Sequence, residues 1–365
     1  MGFNCGIVGL PNVGKSTLFN ALTATAQAEV ANFPFTTIEP NVGRVAVPDE
    51  RLPAVARLAG SAKAVPTHLE FVDIAGLVGG ASRGEGLGNQ FLEHIRQVDA
   101  IAHMLRCFET EGVVHVAGEV DPVRDAAMVE TELMLADLEG LERRTEAATK
   151  RARGGDREAK EELALLQPAL AALRAGTPAR RANVAGERLP DLKRMGLLTA
   201  KPVLYVCNVD EAAAAGNAHS ARVEALAAAE GAAAVVVSAA IEAEIAALED
   251  EAERREFLAS LGLAETGLAR VLRAGYRLLD LITFFTANEA EAHAWTVARG
   301  AGAASAAGRV HTDMQRGFIR SETISYDDFL ACGGVAGARE AGRIRMEGRD
   351  YVVQDGDVML FHFSA

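Results

Sequence analysis

Apolar residues recur along this chain in two rhythms: short continuous runs that suit buried strands, and stretches with apolar positions three and four apart that suit helices. Residues 5–8 (Cys-Gly-Ile-Val) are the first short run, and after a turn residues 17–22 carry a helical pattern. Further strand-like runs lie at 42–47, 69–76, 100–108, 201–207 and 234–237. The run at 100–108 is apolar enough for the centre of a parallel sheet. From about residue 121 the rhythm becomes helical: Met134, Leu138 and Leu141 form one stripe and Leu163, Leu166, Leu170 and Leu173 another, around a Gly154-Gly155-Asp156 turn. This predicts an antiparallel helical hairpin or coiled coil inserted into an α/β domain, with Pro168 kinking or breaking its second helix. Short pieces at 281–285, 294–297, 343–346, 351–353 and 358–361, with a helical turn at 326–330, predict a small C-terminal α+β module. The expected divisions are 1–120 and 200–280 for the two parts of the α/β domain, 121–199 for the insertion and 281–365 for the last module.

Composition narrows the class. With 365 residues, 49% apolar and 24% charged, the chain is globular and too long for one ordinary core. A net charge of −13 argues against a nucleic-acid footprint over the whole surface, though not against a local basic patch. The basic residues Lys150, Arg151 and Arg153 near the hairpin tip, and the pair Arg180-Arg181, are expected to be solvated. Cys5, Cys107, Cys207 and Cys332 are widely spaced and read as reduced thiols. The first residues enter a strand without a basic leader, and no apolar run is long enough to span a membrane. A cytoplasmic protein is expected.

The chemistry starts at residues 9–16, Gly-Leu-Pro-Asn-Val-Gly-Lys-Ser, which fit the phosphate-loop pattern in its strand-then-helix context. Glycines let successive N–H groups and a helix N-terminus point at phosphate oxygens. Lys15 is expected to reach the β- and γ-phosphates, and the Ser16 hydroxyl to take a position on Mg²⁺. Residues 32–41 contain adjacent threonines, of which Thr37 is preferred as the metal- and γ-phosphate-sensing residue because it lies nearer the next strand. Asp73 and Gly76 form a D-x-x-G at a strand end, suited to holding Mg²⁺ and the γ-phosphate. GTPases commonly place a glutamine after that glycine, whereas this chain has Leu77, which cannot hydrogen-bond a water. His103 reads as a packed core histidine. His115 is open between water-positioning residue and half-buried strand residue. Asn208, Val209, Asp210 and Glu211 stand where a guanine site carries N-K-x-D, so that code is broken, and Ser238 begins the other base-contacting loop. The polar run at 308–320, including His311, Thr312, Asp313 and Arg320, is expected to be either a solvated loop or a ligand-facing segment.

Together these segments resemble the YchF subfamily of Obg-related P-loop NTPases over the whole chain. The resemblance implies a P-loop NTPase domain, an inserted helical coiled-coil domain and a C-terminal α+β TGS domain of ubiquitin-like fold. It implies ATP as substrate, with GTP as the alternative, and a slow ribosome-associated switch that releases ADP and phosphate. The nucleotide contacts it suggests are Asn12, Val13, Gly14, Lys15, Ser16, Thr17, Gly76, Asn208, Val209, Glu211 and Ser238, with Ser16, Thr37 and Asp73 at Mg²⁺. It offers His115 beside Lys15 as a catalytic residue, and Asn12 as the mark of K⁺-dependent relatives. Two alternatives stay open: a nucleotide-gated RNA- or ribosome-binding module with incidental hydrolysis, and an ordinary GTPase.

Overall fold

The computed structural model describes residues 3–25, 41–74, 87–109, 119–184, 188–248 and 250–364. The chain divides into two compact units, Met1–Arg44 with Glu70–Gly275, and Val45–Leu69 with Tyr276–Ala365. Strands β1 (Asn4–Val8), β2 (Asn41–Ala46), β3 (Lys63–Val65), β4 (His68–Asp73), β5 (Ala100–Arg106), β6 (Val203–Asn208) and β7 (Ala233–Val237) come first in the chain. All but β3 make one six-stranded sheet in the order β2-β4-β1-β5-β6-β7. Its pairs β1–β4, β1–β5, β5–β6 and β6–β7 are parallel. Every residue of β5 and β6 is buried, as continuous apolar runs between helical layers require. Because β4 and β5 flank β1 on opposite sides, the carboxyl end of β1 opens into the crevice where sheets of this kind take ligands.

Helix α1 (Lys15–Thr25) follows β1, and α2 (Arg51–Ala59) and α3 (Leu87–Gln97) come next. The long helix α4 (Pro122–Arg153) starts at Asp121, whose carboxylate accepts from Val123 N and Arg124 N, with Pro122 suited to the first turn. Helix α5 (Arg157–Arg174) returns antiparallel to it, so that Glu142 meets Arg174 and Arg144 meets Glu162. The predicted stripes close on each other: Leu141, Leu166, Leu170 and Leu173 share one core cluster with Met134, Leu138 and Leu163 at its margin. The expected break at Pro168 is absent, and α5 continues through it. Leu166, Ala169 and Leu170 are buried on either side of the proline, and this packing holds the turn that the missing N–H weakens.

The second unit carries β8 (Leu281–Ala287), β9 (Glu291–Ala298), β10 (Phe318–Ile324), β11 (Arg345–Glu347) and β12 (Val358–Phe363), in the order β11-β10-β12-β8-β9-β3. One face packs Ile282, Phe284, Val297 and Phe361 against the helix Ala303–Val310. The other packs Phe285, Ala294 and Phe329 against Leu52 and Val55 of α2. Residues 45–69 therefore cluster with the C-terminal unit, not with the first part of the α/β domain where the sequence reading places them. The physical cause is an apolar stripe at Leu52, Val55 and Ala56 together with parallel pairing of β3 to β9, Lys63 opposite Glu291. The run at 308–320 is not a loop: it holds the end of one helix, the helix Thr312–Arg316 and the start of β10. Residues 351–353 reach only an isolated bridge, Val352 to Gly302.

Candidate functional site

The loop between β1 and α1 is built from positions where the backbone could take few other residues. Gly14 has φ 98°, and a Cβ there would lie 2.4 Å from Asn208 Nδ2. A Cβ on Gly9 would lie 2.4 Å from the Met104 carbonyl oxygen. The loop thus rests on β5 and β6 with no room for side chains, and Asn12 takes a left-handed φ of 61° at its exposed tip. Val13 is buried, whereas Ser16 and Thr17 at the first turn of α1 are exposed.

Lys15 turns back into this loop, its Nζ donating to the carbonyls of Gly9 and Leu10 at 2.9 Å each. Burial lowers its pKa and the charge of Asp73 opposes that shift. Asp73 ends β4 in register with Ile7, and burial raises its pKa against the pull of Lys15. A half-desolvated cation and carboxylate at the carboxyl ends of neighbouring strands, beside a helix N-terminus, form a site that gains from a phosphate and a further cation.

Asn208 does something the motif alone does not reveal. Its Nδ2 donates to Val13 O at 2.9 Å, and its Oδ1 accepts from Ala239 N at 2.9 Å. One donor and one acceptor position of the amide are used in this way, so Asn208 ties the phosphate loop to the loop after β7 and keeps one N–H and one oxygen lone pair for a further partner. Val209, also expected at the base, is a core residue at 2% exposure. Glu211 is exposed in a 3-10 turn that Asp210 caps, and Ser238 is buried with no partner for its Oγ among the described residues. Thr37, Gly76, Leu77 and His115 lie outside the described residues. Among the described residues no three His, Cys, Asp or Glu side chains converge as a metal site.

One correction concerns charge. Arg180 is not a solvated cation: its guanidinium meets Glu130 at 2.5 Å and Glu230 at 3.5 Å. Glu230 also accepts from the Tyr205 hydroxyl at 2.8 Å. At the hairpin tip Lys150, Arg151 and Arg153 are exposed, as expected, with Lys150 pairing with Glu146 and Arg151 with Glu162 on the surface.

His103 packs in β5 against the Tyr205 ring at 5.9 Å, as its apolar run predicts. Burial, then the charges of Lys15 and Arg180, push its pKa from 6.5 down to about 3. The unfolded chain therefore takes up a proton below pH 6.5 that the folded chain refuses, and stability falls as pH drops from 6.5 toward 3. At pH 5 the loss is about 2 kcal/mol from this group. Urea midpoints at pH 7 and pH 5 check it: His103→Leu should lose that much less than the parent chain, and an identical drop in both would exclude the histidine as the cause.

Comparisons with known proteins add the following. Residues 4–131 match the family MMR_HSR1, described as "50S ribosome-binding GTPase", and residues 281–364 match YchF-GTPase_C, described as "Protein of unknown function (DUF933)". The chain is 55% identical over 364 residues to the ribosome-binding ATPase YchF of Haemophilus ducreyi, with all of both chains covered. It is 51% identical over 367 residues to the protein of that name from Bacillus subtilis, again with all of both covered. Among solved structures it is similar to the Schizosaccharomyces pombe YchF GTPase, with TM-score 0.87, 34% identity and 99% and 98% of the two chains covered. A GTP-binding protein from Pyrococcus horikoshii shares the fold at TM-score 0.61 and 20% identity, with 99% and 100% covered.

Proposed function

The chain belongs to the YchF family, and from that premise we propose that it is a ribosome-associated switch that binds and hydrolyses ATP. The observation that carries the reading is the loop itself, with Lys15 held by two loop carbonyls and facing the charge of Asp73. In this reading Asn12, Val13, Gly14, Lys15, Ser16 and Thr17 surround the phosphates, with Gly76 at the γ-phosphate. The donor set fits Mg²⁺: Ser16 and Asp73 supply oxygen ligands, and the raised pKa of the half-buried Asp73 marks a carboxylate short of a cation. They would hold the ion with Thr37, and when bound it neutralises phosphate charge. K⁺ at Asn12 remains part of the proposal, as does His115 orienting water in place of the glutamine that Leu77 replaces. Among the described residues no helix is long and apolar enough to cross a membrane, and the proposed site of action is the cytoplasm.

With the Val209 side chain in the core, base choice is assigned to Asn208, through the N–H and lone pair that its tether leaves, to Glu211 and to the loop at Ser238. A carboxylate there accepts a hydrogen bond from the adenine amino group, and no lysine covers a guanine. Calorimetry with non-hydrolysable ATP and GTP analogues should find the ATP analogue bound at least about tenfold more tightly, within the range hydrogen-bond readout supports. Tighter GTP analogue binding would reverse the assignment to an ordinary GTPase.

A further inference from the structure

The C-terminal unit presents an open concavity that none of the nucleotide chemistry uses. It lies on the β10–β12 pair, has a volume of about 490 Å³, and is lined by Ile319, Arg320, Phe361, His362 and Phe363. A shift of register between Phe318 and Arg320 leaves Ile319 without a partner residue on β12, and its side chain is 60% exposed. Strand alternation puts Leu360 on the same face as Arg320 and His362, and Met346 opposite Glu322 on that face. Leu360 and Met346 are 55% and 59% exposed. Arg320 is exposed and has no ionic partner among the described residues. Ile319 lines the concavity with Phe363, which is 39% exposed, while Leu360 and Met346 lie on the face that Arg320 and His362 share; exposed apolar side chains grouped in this way are uncommon unless something covers them.

We propose that this face docks a protein surface offering an apolar side chain beside a carboxylate, and that it is how the chain engages a protein of the ribosome. The proposal rests on the ribosome association proposed above. The apolar side chain enters the concavity against Ile319 and Phe363, and its neighbouring carboxylate pairs with Arg320. RNA suits the face less well. Its most exposed apolar groups, Ile319, Leu360 and Met346, are aliphatic, and of the two lining phenylalanines Phe361 is buried and Phe363 is 39% exposed, which is less than the series of aromatic platforms on which successive bases stack. Glu322 stands within it, already engaged by His362 at 3.0 Å and Arg339 at 3.2 Å, which leaves one free cation facing a carboxylate.

The test is co-sedimentation of the full chain with purified ribosomes in its ATP-analogue-bound and ADP-bound states. Compared with the parent are Ile319→Ser with Leu360→Ser, Arg320→Glu, and Leu261→Ser as an exposed apolar control in the first unit. Melting and ATP-analogue affinity serve as checks of folding. The expected result is at least a tenfold loss of ribosome affinity in both face variants and none in the control. Raising salt from about 50 to 200 mM should weaken the parent far less than the ~10³-fold typical of many phosphate contacts. Folded face variants that sediment like the parent overturn the proposal. So does a steep salt dependence with the serine variants unaffected, which assigns the face to RNA. A parent chain that fails to sediment in either nucleotide state removes ribosome association itself, an outcome distinct from failure of the face variants alone.

Discussion

Lys15→Ala is expected to lower ATP hydrolysis by about 10³-fold or more and to weaken triphosphate binding at least tenfold, because it removes the positive charge that the loop aims at the transferring phosphoryl group. The structure says why the loss should be in chemistry and not in folding. Among the described residues Lys15 Nζ bonds the carbonyls of Gly9 and Leu10, and in the variant water at the open loop can replace it. Its lowered pKa shows that burial already disfavours the charge, which Asp73 offsets in part, so a bound phosphate would be a further partner. Phosphate release measured at saturating ATP, alongside calorimetry with an ATP analogue and a melting curve, separates the two effects. An unchanged turnover number would remove the loop from the reaction. Lys15→Arg should fare little better, since a planar fork does not replace a point charge seated between two carbonyls.

The second large effect is expected at Asn208, and it should appear first in stability. Asn208→Ala leaves Val13 O and Ala239 N without the partners they have at 2.9 Å each, both in buried surroundings. Two orphaned buried groups cost about 2–4 kcal/mol together. The same change unties the phosphate loop from the loop after β7, so nucleotide affinity should also fall by about tenfold or more as preorganisation is lost. A denaturant midpoint and an analogue titration on one preparation test both. If the midpoint is unchanged and only base discrimination alters, Asn208 is a base ligand, as its place in the motif suggests, and the tether is incidental. A small cavity would have room at Gly14 in that variant, because the atom nearest a Cβ there is Asn208 Nδ2.

Elements whose signal is local were legible in the residues. The strand, loop and helix around residues 9–16 are contiguous, and their glycines mark a backbone path that other residues would obstruct. The α4–α5 hairpin follows from apolar stripes and a Gly-Gly-Asp turn, and it forms as those stripes dictate. Errors gathered where a local signal competes with packing. Pro168 is a helix breaker by its own chemistry, yet the buried leucines around it keep α5 continuous. Arg180 and Arg181 look alike in sequence, but among the described residues it is Arg180 that pairs with two carboxylates, Glu130 from α4 and Glu230 from the helix Ala218–Glu230. The stripe at Leu52, Val55 and Ala56 would have identified α2, but no nearby residue says which sheet it covers.

By itself the sequence determined the class of protein: a phosphate loop at one strand end, a carboxylate at another, a guanine code broken at Val209 and Glu211, and a hydrophobic Leu77 where a glutamine is common. Those features are short, and short-range sterics and charge give each the same meaning wherever it occurs. Only the tertiary structure decided what the side chains meet. Strand order sets Asn208 beneath Gly14 and makes it a tether of the phosphate loop, buries Val209, and pairs β3 with β9 so that residues 45–69 leave the α/β unit. Each outcome depends on partners distant in sequence, whose contacts become favourable only when the loops between them have closed and water has left the interface.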